Sequence, residues 1–327
     1  MHSRRTVLAA LAAHLLMASR SATAQQPARV GWLQMYSTGM YADLTARGFI
    51  RGLRESGYEE GRNLVFEKRS AEGDLRRLGA LAREIVAARV DVLFAPAKPL
   101  ADAAWYASRS IPTVIATVTD PVTVGYAVSL ARPGKHITGV TTANAELIGK
   151  RLQLLTELVP GLTRVGTFID ADLLASCQEE VDLLEQAAAK LGLTIVRIPV
   201  TANGFDAVAA LKRATAARVQ AVITLPMTSN HDITGKVAEH ALSARMPFMH
   251  DVPQLAQSAL AVYGPDFEDI FRRAGHYTAR LLKGAKPETL PIEEPREFRL
   301  IVNLKVAKAL GLKVSHAMMI RAGEVIE

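Results

Sequence analysis

Short apolar runs recur along this chain, spaced so that one helix fits between each pair. Arg29–Gln34, Leu64–Glu67, Val90–Ala95 and Thr113–Ala116 have the β-branched and aromatic content of strands buried on both faces. Between them lie helix-spaced segments. Leu44, Phe49 and Leu53 share a face closed by Gly57, and Leu78, Leu81 and Ile85 share another within Asp74–Ala88. Leu100–Ser108 is the third. A helix after every strand predicts a parallel, doubly wound sheet. Trp32, Trp105 and Tyr106 are expected in the core or in helix packing.

The second half repeats this order. Arg164–Ile169, Leu193–Ile198, Val219–Leu225 and Phe248–Met249 read as strands. Glu146–Leu158, Leu173–Leu191, Phe205–Ala217 and Ile233–Ala244 read as helices. Tyr263-Gly264-Pro265 breaks the pattern before a helix over Phe267–Leu282 and a Pro-rich connector over Gly284–Pro295. Phe298–Val302 is a last strand and Leu304–Leu310 a last helix. The halves meet at Asp120–Thr142. This stretch turns at Arg132-Pro133-Gly134-Lys135 and ends in an extended run, His136–Val140, whose alternation is too short for an ordinary sheet strand. It reads as a ligand-side loop running into a crossover.

The series Asp120-Pro121-Val122, Gly125–Gly134 and His136–Val140 closely resembles the signature of a family of periplasmic substrate-binding proteins serving ABC transporters. That family includes tryptophan- and tyrosine-type binding proteins. The likeness continues in Gly48–Val86, Gly149–Gly166, Tyr263–Pro295 and Phe298–Leu312, so it covers nearly the whole chain after residue 24. The resemblance implies an α/β protein of the type I periplasmic-binding-protein-like fold, two doubly wound parallel-sheet lobes joined by three crossovers. The crossings are expected near Thr141, Tyr263 and Pro295. Residues 28–142 and 264–292 would form the first lobe, 143–263 and 293–327 the second.

Composition narrows the classes. The 327 residues carry a net charge of +7. Residues 1–24 hold Arg4, Arg5 and Arg20 and no acidic residue, so without those three arginines the charge is +4. The remaining charges are interspersed, which fits a solvated surface rather than a nucleic-acid stripe. Met1–Arg5 is basic, Thr6–Ala18 mainly apolar, and Ala22-Thr23-Ala24 offers small residues before a cleavage site. Residues 1–24 are therefore expected to be a signal peptide. Ser3–Leu8 loosely resembles a twin-arginine signal. Two arginines are ordinarily just the positive charge of such a region, so Sec export is the reading and the twin-arginine route the alternative. Cys177 is the only cysteine, which excludes an intrachain disulfide. Its place on the stripe Leu173, Cys177, Val181, Leu184, Ala188, Leu191 marks a buried thiol rather than a nucleophile.

Ligands of open parallel sheets sit beyond the C-terminal strand ends. In the first lobe this selects Gln34, Met35, Tyr36 and Ser37, then Ala97 and Lys98, Thr117 and Asp120, and Thr141 at the crossover. In the second it selects Asp170, Met227, His250 and Asp251. Met35 and Tyr36 can supply an apolar wall. The resembled family commonly has Gly-Thr-Pro where this chain has Ala97-Lys98-Pro99. Lys98 either pairs with a ligand carboxylate or points to water. The family often has Asn-Pro where this chain has Asp170-Ala171, and Asp170 either accepts a ligand ammonium or hydroxyl or caps the next helix. Asp120, before Pro121, is expected to shape its loop rather than touch ligand.

His250-Asp251 invites an enzymatic reading, but no Gly-x-Ser-x-Gly elbow follows a strand, and adjacent strand residues point opposite ways. Pocket lining or loop structure is the better reading. Walker and Rossmann glycine loops are absent, so neither a nucleotide nor any other cofactor is expected. The resemblance implies an exported, monomeric solute-binding protein. It would close by hinge motion on an amino acid, aromatic or otherwise, or another small carboxylate. Its partner would be an ABC permease in the inner membrane. A ligand-sensing subunit for a membrane receptor or kinase is the alternative, and a periplasmic enzyme on the same scaffold a more distant one.

Overall fold

The computed structural model describes residues 26–142, 144–170, 174, 178–201, 204–225 and 230–327. Its first sheet collects β1 (Ala28–Gln34), β2 (Leu64–Ser70), β3 (Val92–Phe94), β4 (Thr113–Val118) and β5 (Ile137–Thr141), ordered β2-β1-β3-β4-β5 and wholly parallel. Between them run α1 (Met40–Glu55), α2 (Leu78–Ala87) and α3 (Lys98–Ala107). After α4 (Asn144–Leu158) the second sheet begins with β6 (Arg164–Asp170). It continues through α5 (Gln178–Lys190), β7 (Thr194–Val200), α6 (Ala207–Ala216), β8 (Ala221–Ile223), α7 (Asn230–Ala241), β9 (Phe248–His250) and β10 (Ala261–Pro265).

The chain then returns to the first lobe as α8 (Phe267–Leu282), capped by Asp266, whose carboxylate accepts from the Asp269 amide at 3.2 Å. It re-enters the second sheet at β11 (Phe298–Asn303), followed by α9 (Leu304–Leu310), α10 (His316–Arg321) and β12 (Glu324–Ile326). The order is β12-β11-β10-β9-β8-β6-β7, with β10–β11 the antiparallel pair. The α/β fold of two doubly wound lobes is thus as expected.

Small residues let α1 and α8 pack tightly. A Cβ on Gly52 would stand 1.9 Å from the Arg272 carbonyl oxygen, and one on Gly275 would stand 2.4 Å from that of Phe49. Beneath them Trp32 meets Phe49, Phe66 and Phe94 at 5.2–5.6 Å between ring centroids. The buried Val181, Leu184 and Ala188 keep the expected stripe of α5, whereas Leu191 is exposed. Cys177 lies outside the described residues.

Four local expectations are corrected. His136–Val140 leads into a true strand, β5, buried at every position. Tyr263–Pro265 does not break the pattern but ends β10. Tyr106 is 80 % exposed, because it lies on the α3 face turned from the sheet. Beyond Leu310 the alternation runs on through α10 and β12.

Trp105 instead stacks on His136, centroids 4.7 Å apart. Burial, then the charges of Arg109 and Lys135, pushes the His136 imidazole from 6.5 down to about 4. The unfolded chain therefore binds this proton more readily, so the stabilisation by neutral His136 is complete above pH 6.5 and is lost as pH falls toward 4. Thermal unfolding followed over that range should show this dependence in the wild type and lose it in His136→Phe, which retains the stack. An NMR titration midpoint for His136 near 6.5 would contradict it.

Candidate ligand site between the lobes

Parallel strands deliver their C-terminal ends, and hence their loops, to one edge of each sheet. In the first lobe that edge is organised by Tyr41, which sits inside α1 with its hydroxyl 3.1 Å from Thr117 Oγ1. Thr117 in turn donates to the Pro96 carbonyl at 3.2 Å. Burial pushes the Tyr41 phenol well above its ordinary value, and the negative charge of Asp251 in the other lobe pushes the same way. Tyr41 therefore faces the cleft as a neutral hydroxyl. Beside it Gln34, Met35, Tyr36, Pro96 and Leu100 enclose a cavity of about 20 Å³, room for one water. An open depression of about 380 Å³ adjoins it through Trp32 and Gln34 and reaches Ser37, Asp43 and Lys68.

Met35 is buried, Tyr36 half-buried and Ser37 exposed. Ser37 hydrogen-bonds Glu72 and, with Ser70, holds that carboxyl below its usual range. Ala97 is buried and ends its strand's loop. Lys98 opens α3, since Pro99 fits the first turn of a helix, and its Nζ pairs with Asp102 one turn on at 2.9 Å. Asp120 accepts from the amides of Val122 and Thr123 at 2.9 and 3.0 Å and from the Thr123 hydroxyl at 2.6 Å. Burial opposes ionisation there, but these bonds prevail and hold the Asp120 carboxyl below its ordinary value. Thr141 is fully buried and donates to the Val118 and Thr119 carbonyls at 2.7 and 3.0 Å, so it ties β5 to the loop after β4.

In the second lobe Asp170 ends β6, almost fully buried. Met227 lies outside the described residues. His250 is completely buried, and its Nδ1 accepts from the Val252 amide at 3.0 Å. That bond places the imidazole proton on Nε2. Asp251 is also buried, 4.0 Å from the Arg151 guanidinium. Among the described residues no cluster of His, Cys, Asp or Glu is arranged to hold a metal ion.

Three contributors escape the strand-end rule. Arg151, on α4, is fully buried and donates through Nε to the Tyr263 carbonyl at 2.7 Å. Burial depresses its guanidinium, with Asp251 opposing. Its position three residues after Ile148 and four before Leu155 puts a charge on an apolar helical stripe, a signal legible in the sequence. Tyr41 is likewise in register with Leu44. The third is Glu180 of α5, whose Oε1 accepts from Thr119 Oγ1 at 2.9 Å, a direct bond between the lobes. It lies four residues before the buried Leu184.

Comparison with known proteins agrees with this architecture. A tyrosine-binding protein of Clostridioides difficile (strain R20291) is 26 % identical over 275 residues, 83 % of this chain and 77 % of that one. A conserved domain protein from Vibrio cholerae O1 biovar El Tor superposes with a TM-score of 0.81 at 26 % identity, covering 92 % of this chain and 100 % of the other. A Streptococcus pneumoniae ABC domain in complex with L-Trp gives a TM-score of 0.80 at 24 % identity, with the same coverage. The family model for ABC transporter substrate binding proteins matches residues 37–326, so this chain belongs to that family.

Proposed function

We propose that the protein is exported, binds an amino acid between its lobes, aromatic ones first, and delivers it to an ABC permease in the membrane. The observation that carries this reading is the meeting of buried polar groups from both lobes. Tyr41 and Thr119 face Asp251 and Glu180 across the cleft. A ligand held there touches both halves and so shifts the balance toward closure. The tyrosine-binding relative supports an amino acid as cargo. Binding and release need no covalent chemistry, and His250 is held by a loop amide rather than aimed at a nucleophile. Residues 1–24 would be the export signal. Among the described residues no helix is long and apolar enough to cross a membrane.

A thermal-shift screen against amino acids, aromatic acids and dicarboxylates tests this reading. A ligand at a hundred times its dissociation constant adds about 2.7 kcal/mol to the stability of the native state. L-Tyrosine or L-tryptophan should raise the melting temperature by several degrees. Response to dicarboxylates alone would overturn the choice of cargo.

A further inference from the structure

Glu180 occupies a position where an uncompensated carboxylate is costly. It is 7 % exposed, on the first turn of α5, and its Oε1 is held by Thr119 of the other lobe. Its second oxygen, Oε2, is buried and accepts from no donor among the described residues. Among the described residues no ion pair involves it, and the nearby Lys98 is committed to Asp102. The surroundings add negative charge. Burial, then Glu180 and Asp120, push the neighbouring Glu179 carboxyl above its usual value, with Lys98 alone opposing. The seam between the lobes thus holds more anionic than cationic groups here, on the side where the strands of both sheets end.

We propose that Glu180 is the acceptor for a protonated amine of the ligand, so that the cleft selects amine-bearing solutes over the matching acids without one. The inference deepens the proposed function and rests on it. An ammonium carries donors and no acceptor, so it satisfies Oε2 and supplies the missing positive charge together. The lobes can then close over Glu180 without stranding a charge, which makes closure depend on the amine. A plainer role, a tie to Thr119 alone, needs only an acceptor at Oε1 and no charge.

Three proteins separate these roles: wild type, Glu180→Gln, which keeps the acceptor but loses the charge, and Thr119→Val, which loses the tie but keeps the charge. Calorimetric titration would use L-tyrosine and L-tryptophan beside 3-(4-hydroxyphenyl)propionate and 3-indolepropionate, their counterparts without the amine. Glu180→Gln should weaken the amino acids by about 10- to 100-fold and leave the deaminated acids unchanged. Thr119→Val should weaken all four alike. Ligand-free Glu180→Gln should melt at or above the wild-type temperature, because a stranded charge has been removed, whereas Thr119→Val should melt lower. Equal losses for both ligand types in Glu180→Gln, or no loss, would overturn the assignment while leaving the binding reading intact. So would a ligand-free Glu180→Gln that melts as low as Thr119→Val. A wild type that binds none of the four overturns the aromatic amino-acid reading and this assignment with it.

Discussion

Replacing Arg151 by methionine should lower the unfolding free energy by about 3–5 kcal/mol, the usual result of removing one member of a buried ion pair. Methionine fills much of the same volume, so the loss is electrostatic rather than a cavity effect. It leaves the buried Asp251 carboxylate without its guanidinium and the Tyr263 carbonyl without the 2.7 Å bond from Nε. Asp251→Asn alone should cost a similar amount, because it leaves the fully buried Arg151 guanidinium without its carboxylate. The double variant Arg151→Met/Asp251→Asn should recover most of the loss, with about 1 kcal/mol remaining for the Tyr263 bond. Urea unfolding of all four proteins closes the cycle. A loss below about 1 kcal/mol for Arg151→Met would mean that the 4.0 Å pair is not coupled and that solvent reaches it.

The pair matters beyond stability because of where it sits. Arg151 belongs to α4, the first helix after the first crossing, while Tyr263 lies in β10, the strand from which the second crossing departs, and Asp251 follows the neighbouring β9. A Cβ on Gly264 would stand 1.9 Å from the Asp251 carbonyl, so backbone and side chains are tightly packed here. Two of the three connections are thereby anchored to the second lobe at one point. The hinge motion expected of the proposed binding cycle would then fall outside this anchor, in the short segments on the side of the first lobe.

The lobes were legible in the alternation of strand and helix, since buried parallel strands are nearly unbroken apolar runs. The misread segments each violate that signal for a local reason. β5 is interrupted by Gly139 at a φ of 137°, so its five residues show no regular period. Gly264 and Pro265 look like a break. Yet β9 pairs with β10 only at Ala261 and Val262, so the proline forfeits no ladder bond on that side. Of the candidate site, the loops were legible because topology alone places them. Arg151, Tyr41 and Glu180 fall outside that rule, because they reach the cleft from helix faces and their spacing matches ordinary core positions. What separates them is a charge or hydroxyl on an apolar stripe. Lys98, read as a partner for a ligand carboxylate or as pointing to water, is paired with Asp102 within its helix, whereas Asp120 shapes its own turn as expected.

Gly139→Ala should cost about 2–5 kcal/mol and weaken ligand binding even at temperatures where the protein stays folded. Two terms combine. A φ of 137° strains any residue with a Cβ, by about 1–3 kcal/mol. The added methyl would also lie 2.1 Å from the Ile115 carbonyl oxygen, and relieving that overlap moves backbone, at about 1–3 kcal/mol. Gly57→Ala is the matched control. It too has a positive φ, 92°, but nothing lies within 4 Å of the new Cβ, so only the conformational term applies. The link to function is the chain that runs beside β5. The Glu293 amide donates to the Gly139 carbonyl at 3.0 Å, and the Thr141 amide donates to the Glu293 carbonyl at 2.9 Å, which sews the first crossing to the third. Pushing Gly139 away from Ile115 is expected to shift both connections and misalign Thr119 with Glu180, a contact that joins the lobes. Denaturant unfolding and ligand titration of both variants decide the matter. Equal stability losses for Gly139→Ala and Gly57→Ala would show that β4 and β5 separate easily. Unchanged affinity in a destabilised Gly139→Ala would detach the seam between the crossings from closure.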